Sequence, residues 1–89
     1  MGPFLTASSE FGLAFGYHKT RREPEAELHY EAGLRAWEHL SESEQRSLVS
    51  FVEDYVNCLH NAQQYAKAER LSVMAMRVRV RQSLHGSSR

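Results

Sequence analysis

Cysteine is nearly absent from this chain. Cys58 stands alone among 89 residues, so no intrachain disulfide can staple the fold. A chain this short buries only about 60–65% of its unfolded surface. Without a disulfide or a metal to add to that core, self-association is the expected supplement, and a reducing compartment is the expected setting. No apolar stretch approaches the roughly 20 residues that cross a bilayer. The N-terminus does not read as a secretory signal, because its basic residues follow the apolar part and Glu10 interrupts it. Gly2 and Thr6 fit the loose myristoylation pattern, which Pro3 disfavours. A cytoplasmic protein away from the membrane is the expectation.

Catalytic signatures are missing as well. His18, His29, His39, His60 and His85 include no pair one helical turn apart, and neither HExxH nor ExxH occurs. Glu25 and His29 share a helix face, but two ligands do not close a metal site. Cys58 has only His60 nearby, and on a helix that residue points elsewhere, so nothing local favours a thiolate. Paired acids such as Glu53-Asp54 read as solvated helix surface, and no glycine-rich phosphate loop is present. No enzyme, no metal and no cofactor are expected.

What the chain does have is charge sorted by position. Its total is zero, from 11 acids and 11 Lys and Arg. Residues 23–54 hold nine of the acids against Arg35 and Arg46, a balance of −7. Residues 65–89 hold Lys67, Arg70, Arg77, Arg79, Arg81 and Arg89 against Glu69, a balance of +5. Such asymmetry points to self-association or to a charged partner.

Helical periodicity dominates the rest. Pro24 is suited to a first helical position, and Glu23, Glu25 and Glu27 complement the positive end of a helix dipole. The set Ala26, Tyr30, Gly33/Leu34, Trp37 and Leu40 then recurs at helical spacing. Ser41-Glu42-Ser43-Glu44 is a capping box, followed by the stripe Leu48, Val52, Tyr55, Val56, Leu59 and Ala62. An unbroken helix to Leu84 would be about 65 Å long, so a bend is expected near 60–63. Within the last segment, Met76 to Arg81 alternates with period 2, the strand signature. No turn signal separates it from the helical run before it, so helix is preferred.

The expected architecture is all-α: three helices near 24–40, 42–60 and 63–84, a hairpin plus a third element, completed as a homodimer. Residues 1–23 are read as an irregular N-terminal arm. The run Phe11-x-Leu13-x-Phe15-x-Tyr17 admits a short strand, though Gly12 and Gly16 weaken it. Residues 24–85 form the helical domain and 86–89 a disordered tail. No internal repeat is evident.

The basic segment 67–81 is the main functional signal. Lys67, Arg70, Arg77, Arg79 and Arg81 are candidates for contact with a partner or with nucleic acid. As a strand, Arg77, Arg79 and Arg81 would project together and suit a groove-reading ribbon. As a helix, Arg70, Arg77 and Arg81 lie closest to one another. The competing structural reading pairs these arginines with the acidic helices, within a subunit or across a dimer. Phe11, Phe15, Tyr17, Tyr30 and Trp37 are candidate interface aromatics, with a core role favoured for Tyr30 and Trp37. In size and lack of catalytic motifs the chain resembles the small helical regulators and inhibitors of phages and mobile elements, anti-CRISPR proteins among them. That resemblance covers no motif. The expected function, read from the charge pattern and the missing catalytic motifs, is that of a non-catalytic protein that binds a protein partner as inhibitor, adaptor or regulator. The alternative is a small DNA- or RNA-binding regulator.

Overall fold

The computed structural model describes the backbone of residues 2–87 and the side chains of residues 2–81. It is all-helical there: α1 (Pro3–Lys19), α2 (Glu23–Trp37), α3 (Glu42–Asn61) and α4 (Tyr65–Ser87). Four helices stand where three were expected. The extra one is α1, which replaces the irregular arm. Pro3 occupies its first turn, where the missing amide hydrogen costs nothing, and Ala7, Phe11 and Ala14 are buried at i, i+4 and i+7. The alternation of residues 11–17 misleads because α1 is apolar on more than one side. Leu5 and Leu13 lie exposed on the far side from the buried set, and Phe15 is exposed on its flank. Of the expected tail, Gly86 and Ser87 belong to α4, and residues 88–89 lie outside the described residues.

The chain divides into two compact units, Met1–Glu44 and Gln45–Arg89. In the first, α1 and α2 form an antiparallel αα-hairpin. Phe11, fully buried, packs its ring on the backbone of α2. A Cβ at Gly33 would lie 2.6 Å from Phe11 Cδ1, so glycine is what permits this approach. Phe11 also meets the buried Tyr30 at 6.4 Å between ring centroids. At the polar edge of the hairpin, His29 Nδ1 lies 2.6 Å from Glu10 Oε1, and the imidazole stacks on Tyr17 at 5.3 Å. Arg22 covers the Tyr17 ring as well, 5.1 Å from its centroid. Buried Ala26, Leu34 and Trp37 complete the inward stripe of α2. Unit 1 ends with the expected capping box: Ser41 N–H donates to Glu44 Oε1 at 3.2 Å, and Glu44 N–H donates to Ser41 Oγ at 3.4 Å.

The second unit is also an antiparallel αα-hairpin. α3 buries Leu48, Val49, Val52, Tyr55 and Leu59, while α4 buries Ala68, Leu71, Ala75 and Val78 at helical spacing. Residues 76–81 are helix, which decides against the strand alternative.

Both hairpins turn in the same way. Arg21, at φ 64°, donates to the His18 carbonyl at 3.0 Å, and Arg22 N–H donates to the Tyr17 carbonyl at 2.8 Å. Gln63, also at φ 64°, donates to the His60 carbonyl at 2.9 Å, and Gln64 N–H to the Leu59 carbonyl at 2.8 Å. These are paired Schellman motifs in which a left-handed residue ends one helix. Arg22 and Gln64 then accept the first bonds of α2 and α4, from Ala26 and Ala68. Glycine is the usual left-handed residue, so neither turn announces itself in the sequence.

Candidate functional site

The chemistry expected of residues 67–81 rests on how α4 distributes them. Burial of Ala68, Leu71, Ala75 and Val78 fixes one side of the helix. At 3.6 residues per turn the opposite surface is then set. It carries an apolar stripe of Val73, Met76 and Val80, which are 40%, 57% and 47% exposed. Beside that stripe run Arg70, Arg77 and Arg81, seven and four residues apart and within about 40° of one another around the axis. All three arginines are exposed. Neither Arg70 nor Arg77 carries an ion pair among the described residues.

Arg79 lies on the other flank of the apolar stripe. Its guanidinium grips Glu53 of α3 through two bonds, Nε to Oε2 at 2.6 Å and Nη2 to Oε1 at 2.7 Å. That hydrogen bonding, reinforced by the attraction between the charges, holds the Glu53 carboxyl below its ordinary range and raises the Arg79 guanidinium. Arg79 therefore does not project with Arg77 and Arg81 as the strand reading required. For this arginine, pairing with an acidic helix is observed. Lys67 also turns inward: it is half-buried, with Nζ 5.8 Å from the Tyr55 ring centroid.

Between α3 and α4 opens a groove of about 580 Å³. Glu53, Val56 and Asn57 line it from α3, and Ser72, Ala75, Met76, Arg79 and Val80 from α4. Its apolar wall is continuous with the exposed stripe, since Met76 and Val80 belong to both. The Glu53–Arg79 pair crosses its rim. The arrangement offers an apolar trough, a tied ion pair on one side and exposed positive charge on the other. Those are the components of a docking surface.

The candidate aromatics behave differently. Phe11, Tyr30 and Trp37 are buried and serve the core of the chain rather than an open surface. Tyr17 is half-buried under His29 and Arg22, and Phe15 is exposed with Lys19 Nζ 5.2 Å from its ring centroid. His29 pairs with Glu10 rather than sharing a site with Glu25, which pairs with Arg22 at 3.2 Å. The Glu25 carboxyl is held below its ordinary range by a backbone hydrogen bond and by Arg22. Sequence reasoning missed Met76, Val80 and Leu28 as surface features. Leu28 is 71% exposed on α2, the most exposed large apolar side chain among the described residues. Its place outside the stripe of Ala26, Tyr30, Gly33/Leu34 and Trp37 was the signal that marked it.

No helix among the described residues is long and apolar enough to cross a membrane. No protein-family model, curated protein or solved structure matches the chain.

Proposed function

We propose that this is a non-catalytic protein that binds a protein partner through the outer face of α4 and acts as an inhibitor, adaptor or regulator. The observation that carries the reading is the apolar stripe Val73–Met76–Val80 lying open beside Arg70, Arg77 and Arg81. Contiguous exposed apolar surface is costly to leave in water, and arginine with methionine is enriched where proteins meet. A cytoplasmic setting accords with the single cysteine.

The test is comparative capture from an extract of the source cell. Wild type, Met76→Glu and the combined Arg70→Ala, Arg77→Ala, Arg81→Ala variant serve as baits. The reading expects one protein retained by wild type and lost with both variants. Retention unchanged by either variant refutes α4 as the docking face.

A second reading has its own support. Arg70, Arg77 and Arg81 form a single exposed stripe that could lie along a phosphate backbone. Fluorescence anisotropy of labelled duplex and single-stranded DNA and RNA, at about 50 and 200 mM salt, tests it. Binding that weakens steeply with salt and disappears in the triple-arginine variant favours nucleic acid. No binding at the lower salt removes this reading. Arg79 is left out of the variant because its loss would also strip Glu53 of its partner.

A further inference from the structure

The outer face of α2 has what the outer face of α4 lacks. Leu28 stands out from it at 71% exposure, with Glu27 exposed alongside, and Glu31 and the capping residue Glu38 continue the same edge. Arg35, also exposed, lies between that edge and Leu28, so the face carries three acids against one base. Glu27 and Glu38 are eleven residues apart in the sequence, as are Arg70 and Arg81. Each stripe is therefore about 16 Å long at 1.5 Å per residue. Viewed from the N-terminus of each helix, the acids come just before Leu28 in the right-handed sense of rotation. The arginines come just after Met76 and Val80. Two helices laid face to face bring such edges together only when they run parallel. In that orientation Glu27 meets Arg70 and Glu38 meets Arg81, while Leu28, level with Leu71 in this register, reaches the Val73 end of the stripe.

We propose that the outer face of α4 receives α2 from a second copy of this chain. Leu28 packs at the Val73 end of the apolar stripe, and Glu27, Glu31 and Glu38 lie along the edge that carries Arg70, Arg77 and Arg81. This rests on the reading of α4 as a protein-docking face and names its occupant. Charge complementarity selects that occupant, because the chain's acids are concentrated in residues 23–54 and its bases in 65–89. The contact joins two different surfaces. It therefore closes into a two-fold pair when both copies dock mutually, and extends into longer chains when they do not.

Sedimentation equilibrium of the full chain across a dilution series, at about 50 and 200 mM salt, tests this. Wild type should show a weight-average mass above one chain that falls on dilution and in the higher salt. Leu28→Glu and Met76→Glu should each return it to one chain with the helical circular dichroism intact, since both side chains are mostly exposed. Glu27→Arg or Arg70→Glu alone should weaken association roughly tenfold, and the two together should restore most of it. Wild type at the mass of one chain throughout overturns the inference, and the capture comparison then still decides whether α4 docks another protein. Association that ignores Leu28→Glu and Met76→Glu, or a charge-swapped pair that fails to recover, also overturns it.

Discussion

The two hairpins share a turn and differ in almost everything around it. Each closes with a left-handed non-glycine residue, Arg21 or Gln63, and the same pair of Schellman bonds. The first hairpin is held by aromatic packing. Phe11 lies against Gly33 and Tyr30, and His29 and Arg22 both contact Tyr17. The second has smaller residues on α4's inward side, Ala68 and Ala75 with Leu71 and Val78, and ties its helices at the surface through Glu53 and Arg79. The same backbone solution therefore leaves different remainders. α2 is left with one protruding leucine on a face of net negative charge, where Glu27, Glu31 and Glu38 outnumber Arg35, and α4 with an open apolar stripe beside arginines. Surface chemistry, more than backbone design, separates the two.

If that comparison is right, the largest loss of stability should come from the aromatic seam. Phe11→Ala should destabilise the chain by about 3–5 kcal/mol in urea unfolding. An effect under about 1 kcal/mol would mean the seam is not what holds the first hairpin. Gly33→Ala comes next. Its Cβ would sit 2.6 Å from Phe11 Cδ1, and displacing a buried ring should cost about 1–3 kcal/mol, partly offset by alanine's better helix propensity. In a Phe11→Leu background most of that cost should vanish, which a double-mutant cycle reads directly.

The shared turn is tested by a residue that cannot adopt it. Gln63→Val should cost about 1–2 kcal/mol because a β-branched side chain resists φ near 64°, while Gln63→Gly should be neutral or slightly stabilising. The corresponding changes at Arg21 should follow the same order if the two turns are equivalent.

The smallest effect belongs to the surface tie. The Glu53 carboxyl is held below its ordinary 4.5 mainly by hydrogen bonding from Arg79. Its contribution is therefore complete above that ordinary value and is lost as pH falls through the lower folded-state value. Thermal unfolding of wild type and Glu53→Gln should differ at neutral pH and converge in acid. A constant gap across that range would show that the pair adds nothing through its charge.

Much of this fold is legible in the residues. Pro24 and the Glu-rich turn after it mark α2, and Ser41 with Glu44 marks α3 through a reciprocal cap that is local by nature. The bend near residue 63 follows from length alone. α1 is hidden because Leu5, Leu13 and Phe15 spread apolar character around the helix and blur the set Ala7, Phe11 and Ala14. A period can be read only where one side of an element is polar. The Glu53–Arg79 grip is hidden for another reason: its members are 26 residues apart, and only the register of α3 on α4 joins them. The proposed docking face is half visible. Its arginines stand out, but Met76 and Val80 read as core until Ala68, Leu71, Ala75 and Val78 are seen to occupy the buried side.

Methionine-methyl NMR tests the central claim, that the outer face of α4 docks a protein, most directly. Met74 is half-buried and Met76 is exposed, and two residues apart they point to nearly opposite sides of one helix. On raising the protein concentration, or on adding the captured partner, the Met76 resonance should shift or broaden well before that of Met74. A Met76 signal unmoved under both conditions would contradict the account.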